Sequence, residues 1–160
     1  MILKIDKVPV PIFKFQLFLQ EDVKKIMADI SDKDEDYNDF NRPWVLKFIP
    51  KIQGELNEMI SRIGIPKLKI KKIWSKTYHK GDSDGWHTND CNFTGMYYFN
   101  FNKNYHSGPA IKFPFENNLP KILGVAEGDV LVFPSFFPHR IPVNPSEVTH
   151  TVVTWNADCI

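Results

Sequence analysis

Two segments in the first half of the chain carry apolar residues at the spacing of one helical face. In 21–30 the apolar positions lie three and four residues apart, and two acidic residues occupy the first turn. A longer face of the same kind runs through 43–62, where Pro43 suits a helix start and Gly64 and Pro66 follow the end. The pattern predicts two helices, joined by an exposed acidic loop over 31–39.

The rest of the chain has the pattern of short strands. Residues 8–18 alternate apolar and polar positions around two prolines, which predicts an edge strand because proline cannot donate to a sheet. Further runs rich in β-branched and aromatic residues lie between glycine, asparagine and proline clusters, at 68–78, 92–101, 110–115, 130–133 and 149–155. This order predicts an α+β, mainly β protein, with helices covering one face of a sandwich, barrel or jelly roll.

Length and composition narrow the class of protein. We expect 160 residues to form one domain, with 1–66 as a supporting part and 67–160 as the sheet core. A formal net charge of +1 gives no general attraction for nucleic acid or for an anionic membrane. The apolar runs are shorter than the roughly 20 residues that span a bilayer. Two cysteines and the lack of a recognisable leader favour a reducing cytoplasm.

Two histidines stand where loops are expected to meet strands. His87 lies in a Gly-Trp-His-Thr-Asn-Asp segment, and His139 follows a Phe-Pro-Ser-Phe-Phe-Pro segment. They are 52 residues apart and can converge only if the sheet folds back on itself, as a jelly roll does. Non-haem iron that binds a cosubstrate and oxygen uses two imidazoles and one carboxylate, which leaves the opposite coordination positions open. The pair is therefore a candidate metal site.

An ordered set of segments carries a family resemblance. It comprises 74–82, 86–89, 94–99, 128–135, His139 and 153–156. Together they resemble the double-stranded β-helix core of the 2-oxoglutarate and iron(II)-dependent oxygenases, and in particular the small prolyl-hydroxylase-like proteins of bacteria and phages. The resemblance covers roughly residues 68 to 158. It implies that His87 and His139 are the two histidine ligands of iron(II), that 2-oxoglutarate is the cosubstrate, and that ascorbate serves as a reductant.

The sequence departs from the family at the third ligand. Members of the family carry a carboxylate or sometimes a histidine two residues after the first histidine, whereas this chain has Asn89. A neutral amide offers an oxygen to a metal but no negative charge. Asp90 is the nearest carboxylate and would reach the metal only if the loop shifted by one residue. Both residues are kept as candidates for the third position.

A second departure concerns the cosubstrate. Family members grip the far carboxylate of 2-oxoglutarate with an arginine or lysine that follows the distal histidine, but here His150 stands eleven residues after His139. Arg140 is an alternative, although a residue next to His139 on a strand points to the opposite face. The hydroxyls of three tyrosines are further candidates: Tyr78, Tyr97 and Tyr98. Strand alternation allows only one of Tyr97 and Tyr98 to face the site.

Three functions are compatible with these residues. The first is a dioxygenase that couples decarboxylation of 2-oxoglutarate to hydroxylation of a peptide residue or a small metabolite. The second, favoured by both departures, is a catalytically impaired protein that keeps the fold and acts as a metal-binding or structural module. The third is a cupin-like metal enzyme that does not use 2-oxoglutarate. We expect a monomer or homodimer, and Cys91 is either a soft metal ligand or a buried reduced thiol.

Overall fold

The computed structural model describes residues 12–114, 116–117 and 119–160. Two helices form where the apolar face predicts them, α1 over Glu21–Ala28 and α2 over Pro43–Ser61. In this part of the chain, no helix is both long and apolar enough to cross a membrane. The strands are, in chain order, β1 Phe13–Gln16, β2 Lys33–Asp34, β3 Leu68–Tyr78, β4 Asp84–His87, β5 Phe93–Asn100, β6 Ala110–Lys112, β7 Pro120–Ile122, β8 Asp129–Pro134, β9 His139–Ile141 and β10 His150–Cys159.

The strands form two antiparallel sheets. The larger sheet has the order β1-β8-β5-β10-β3-β2, and the smaller one the order β4-β9-β6-β7. The edge position predicted for the first strand is confirmed for Phe13–Gln16, whereas residues 8–11 lie outside the described residues. The acidic loop also contains β2, which pairs with β3. Four strands were not predicted, namely β2, β4, β7 and β9, because each has only two to four residues.

Alternation along the long strands produces two hydrophobic cores. One face of the six-stranded sheet packs on the helices through Trp155 and Tyr97, which contact Phe48 of α2. The other face supplies Leu131 and Val152 to a second core that also contains residues of the smaller sheet. The structure is thus mainly β with the helices on one side, and the second core lies between the two sheets. Of the candidate metal residues, His139 packs against this inner core through Phe133.

Candidate metal site

The two histidines lie on neighbouring strands of the smaller sheet. His87 ends β4, His139 begins β9, and their Cα atoms are paired across the sheet. Their ring centroids are 4.3 Å apart, with the ring planes tilted by 58°. Strand pairing therefore brings together two imidazoles that are 52 positions apart in the sequence.

Hydrogen bonds fix which nitrogen of each ring is free. Nδ1 of His87 lies 2.7 Å from the carbonyl oxygen of Gly85, and Nδ1 of His139 lies 2.9 Å from that of Phe137. A carbonyl oxygen only accepts, so both Nδ1 atoms carry the proton and both Nε2 atoms keep a lone pair. Metal-binding histidines are oriented in this way, with one nitrogen held by a backbone carbonyl.

Burial keeps His139 in the neutral form that a metal requires. Its side chain is fully buried, and burial lowers its pKa to about 4 although the hydrogen bond to Phe137 acts in the opposite direction. The nearby His87 lowers the pKa of His139 further. His87 itself is exposed to solvent. The pair thus combines one buried and one accessible imidazole.

The third position is occupied by an amide. Nδ2 of Asn89 lies 2.9 Å from the hydroxyl of Thr94 and 3.4 Å from Nε2 of His139. Asp90 is exposed. Across residues 12–160 apart from 115 and 118, no group of three His, Cys, Asp or Glu side chains is placed to hold a metal ion. The structure therefore brings Asn89 to the imidazole of His139, and among the described residues Asp90 does not complete a metal-holding group with the two histidines.

A carboxylate that the sequence analysis did not identify faces inward near His87. A register shift between Asp84 and His87 interrupts the pairing of β4 with β9. Asp84 accepts hydrogen bonds from Lys76 at 2.6 Å and from the Tyr78 hydroxyl at 2.5 Å. Burial raises the pKa of Asp84, but these two bonds outweigh it and the pKa is lowered overall. The aspartate is therefore held as an anion, and no sequence pattern signals the irregularity that turns it inward.

His150, which the sequence analysis named for cosubstrate binding, begins β10. Its ring is buried and stacks on Tyr78 with 4.8 Å between centroids, and His106 lies 4.7 Å away. Burial lowers the pKa of His150 to about 4, with a further contribution from His106. Among the residues described, none hydrogen-bonds to its Nδ1. The site thus offers a neutral imidazole with an unpartnered nitrogen.

The other candidates for cosubstrate binding separate into two groups. Tyr98 belongs to the core between the sheets, and its hydroxyl has a sulfur acceptor, Met96, at 3.7 Å. Tyr97 packs on the helix side of the sheet, and Arg140 is exposed with its guanidinium 5.2 Å from the ring of Trp86. Tyr78 faces inward but its hydroxyl is bound to Asp84. Tyr97 therefore lies on the opposite face of the sheet from Tyr98, and Arg140 contacts Trp86.

A separate cavity lies on the other side of the six-stranded sheet. It has a volume of about 750 Å³ and is lined by residues of α1 together with Thr77 and Tyr97. The two histidines and Asn89 do not line it. It is therefore distinct from the candidate metal site.

Comparisons with known proteins bear on the fold. No protein-family model matches the chain, and no curated protein matches it. The structure is similar to AviO1 from Streptomyces viridochromogenes Tue57, with a TM-score of 0.68 and 10% identity over 93% of this chain and 90% of that one. It is also similar to the viral collagen prolyl hydroxylase of Paramecium Bursaria Chlorella virus-1, solved with 2OG, with a TM-score of 0.63 and 15% identity over 93% and 96% of the two chains.

A third solved structure is a prolyl hydroxylase from Trichoplax adhaerens in complex with a peptide fragment of a hypoxia inducible factor. It has a TM-score of 0.62 and 15% identity, and the match covers 92% of this chain and 83% of that one. A member of the 2OG-Fe(II) oxygenase family from Burkholderia pseudomallei has a TM-score of 0.65. These likenesses show a shared fold at low sequence identity.

Proposed function

We propose, from the fold that this chain shares with 2OG-Fe(II) oxygenases, that it is an iron(II)- and 2-oxoglutarate-dependent oxygenase with His87 and His139 as metal ligands. In this proposal the chain is a single domain and the two sheets form a double-stranded β-helix. One observation carries the proposal: two neighbouring imidazoles, each held through Nδ1 by a carbonyl, present both Nε2 lone pairs.

The residues present fit a metal ion. Two imidazoles that present Nε2 suit iron(II), and where the amide at position 89 does not coordinate, its position stays open for an exogenous ligand. Asn89 adds no negative charge, so we expect weaker iron binding than a full set of two histidines and one carboxylate gives. Asp84 lies on the same strand as His87 as an anion, but it is bound to Lys76 and Tyr78.

For 2-oxoglutarate, the residues fit a hydrogen-bonded ligand and not an ionic one. The unpartnered Nδ1 of His150 and the hydroxyl of Tyr98 both lie on the inner side of the larger sheet. Either could donate to the distal carboxylate of the cosubstrate, Tyr98 by exchanging its sulfur acceptor Met96 for the carboxylate and His150 through a protonated Nδ1. His150 and Tyr98 are both neutral and cannot form the charge-assisted bond that an arginine provides. We therefore expect a high dissociation constant for 2-oxoglutarate.

When bound, iron(II) and 2-oxoglutarate would supply the chemistry by which dioxygen hydroxylates a carbon centre while 2-oxoglutarate is decarboxylated to succinate and CO2. The chain's own residues orient and shield the site. Phe133 packs edge-on against His139 with 4.9 Å between centroids, and it keeps water from the buried side of the ligand ring. His87, exposed on the opposite side, leaves an approach open for substrate. A peptide residue or a small metabolite is compatible with this access.

A second candidate function has specific support. The amide at position 89 and the neutral His150 each remove a charge that the oxygenase reaction uses. Both observations favour a metal-binding module that has lost catalysis.

Anaerobic titration separates the two candidates. The protein is loaded with iron(II), and 2-oxoglutarate is added up to millimolar concentration. An oxygenase gives a weak visible charge-transfer band and, after oxygen is admitted, forms succinate. Iron binding without band or succinate would replace the oxygenase proposal with the binding module, and failure to bind iron would reject both.

A further inference from the structure

We infer that a hydrogen-bond chain starting at Cys91 holds the Asn89 amide with its NH2 group toward His139, so that Asn89 is a positioning residue in the metal-free protein and not a ready oxygen ligand. The inference rests on the proposed metal site at His87 and His139. The other members of the hydrogen-bond chain, Cys91, Thr94 and Ser135, are residues that the proposed function does not use.

The chain consists of four consecutive short contacts. Sγ of Cys91 lies 3.3 Å from the carbonyl oxygen of Phe93 and 2.8 Å from Oγ of Ser135. Oγ of Ser135 lies 2.8 Å from Oγ1 of Thr94, which lies 2.9 Å from Nδ2 of Asn89. Ser135 and Thr94 are fully buried, so water does not compete for these contacts.

The donor and acceptor of every bond in the chain follow from the first bond, that of the Cys91 thiol to the Phe93 carbonyl. The Phe93 carbonyl can only accept, so the single proton of the Cys91 thiol is used there and its sulfur must accept from Ser135. Ser135 has then used its proton and must accept from Thr94. Thr94 in turn must accept from Asn89, and only the NH2 end of the amide can donate.

The same NH2 group faces the metal-binding nitrogen of His139. Because Nδ1 of His139 donates to Phe137, its Nε2 accepts, and Nδ2 of Asn89 stands 3.4 Å from it. An amide oxygen in that place would suit a ligand beside Nε2, but Thr94 would then have to donate. All the hydroxyl bonds would reverse, and the Cys91 thiol would lose its carbonyl partner. A carboxylate at position 89 can only accept, so Thr94 would again have to donate and the bonds would reverse. This is a physical reason for the amide at position 89.

Two substitutions at position 91 isolate this effect. Cys91→Ala removes the donor that sets the direction, so the amide is free to turn its oxygen to the metal. Cys91→Ser keeps a donor to Phe93 and an acceptor for Ser135. We expect Cys91→Ala to tighten binding of Co(II), measured by calorimetry, about fivefold, in line with the loss of one modest opposing bond. Cys91→Ser should match the unsubstituted protein.

Coupling with position 89 gives a second readout. Asn89→Asp should gain about fivefold more Co(II) affinity in the Cys91→Ala background than in the Cys91→Ser background. Ser135→Ala provides a second way to free Thr94 and should act like Cys91→Ala if the latter folds poorly. Equal effects of Asn89→Asp in both backgrounds would overturn the inference.

A measurement without metal keeps this test independent of the proposed function. The side-chain NH2 signals of Asn89, assigned by their loss in Asn89→Asp, should shift in Cys91→Ala and stay in place in Cys91→Ser. If they respond alike to both substitutions, the inference fails even where metal binds. If no variant binds Co(II) but the NH2 signals respond as expected, the hydrogen-bond chain stands and the metal site is rejected.

Discussion

His87 and His139 face each other across a strand pair, and each is held by the same local contact. In both, Nδ1 donates to the backbone carbonyl two residues earlier, which belongs to Gly85 within β4 and to Phe137 in the turn before β9. Since the partner carbonyls belong to the same short segments as the rings, the orientation of each imidazole is set locally. Strand pairing then sets the distance between the rings. The chain itself thus orients the two imidazoles of the proposed metal site.

Removing either imidazole should abolish metal binding. We expect His87→Ala and His139→Gln to weaken Co(II) or iron(II) binding beyond the ~10–100-fold that follows from loss of a supporting group. His79→Ala is the matched control, because His79 is exposed and its Nε2 pairs with Asp32 at 2.7 Å. Calorimetry of the three folded variants makes the comparison. Retention of wild-type affinity in His87→Ala would exclude the proposed ligand pair.

Restoring a cation at position 150 should strengthen cosubstrate binding. His150→Arg places a permanent charge beside Tyr78, where the native imidazole is neutral. A charge-assisted bond contributes about 1.5–3 kcal/mol, which corresponds to roughly tenfold or more in the dissociation constant for 2-oxoglutarate.

The charge-transfer band of the iron-loaded protein reports this constant. Arg140→Gln is the control, since Arg140 lies over Trp86 and should leave the constant unchanged. A folded His150→Arg variant with unaltered affinity would show that 2-oxoglutarate does not approach position 150.

The long elements could be predicted from sequence because each shows its period several times. Strand β3 has the predicted bounds, and both helices begin at the predicted residues. Three strands of the smaller sheet, β4, β7 and β9, have only three or four residues each. That is too few to show an alternation of apolar and polar positions. Two of those strands, β4 and β9, nevertheless carry the two histidines, which the sequence analysis identified from their expected positions between loop and strand and from the family resemblance.

The finer features of the site depend on tertiary packing. Alternation predicted that only one of Tyr97 and Tyr98 would face the site, but the choice of Tyr98 follows from Phe48 packing on Tyr97. Likewise, Thr94 and Asn89 are five residues apart, and their contact depends on the loop between β4 and β5. Propensity and periodicity do not encode such contacts.

Stability should fall as the pH drops from 6.5 toward 4. Burial lowers the pKa of His150 from 6.5 to about 4. Between these pH values, His150 is protonated in the unfolded chain but neutral in the folded protein. The contribution of His150 to the unfolding free energy is therefore complete above pH 6.5. It decreases by up to about 3 kcal/mol as the pH falls to 4.

His139 has a lowered pKa of the same size and should contribute with the same sign. His150→Phe keeps an aromatic ring against Tyr78 and removes one of the two titrations. Urea unfolding of both proteins between pH 7.5 and 4 measures the difference. An identical pH dependence in the variant would show that position 150 accepts a proton in the folded protein.

The contact between β5 and β10 allows no side chain at Gly95. A Cβ atom built there would lie 2.0 Å from the indole ring of Trp155, which is fully buried. Gly95→Ala must therefore displace the tryptophan from the core on the helix side. We expect a loss of at least ~2 kcal/mol in the unfolding free energy, toward the upper part of the range for overpacking. Gly54 in α2 is the matched control, since a Cβ there meets no atom within 4 Å.

Gly54→Ala should stabilise the protein by about 0.5–1 kcal/mol, because alanine loses less backbone entropy in a helix. Urea midpoints at unchanged slope compare the two variants. The strand pair bears on function because Thr94 and His150 extend from it on the inner side. Displacing Trp155 should therefore also weaken Co(II) binding in Gly95→Ala, while Gly54→Ala leaves it unchanged. Equal stability of the two alanine variants would contradict the described packing of β5 on Trp155.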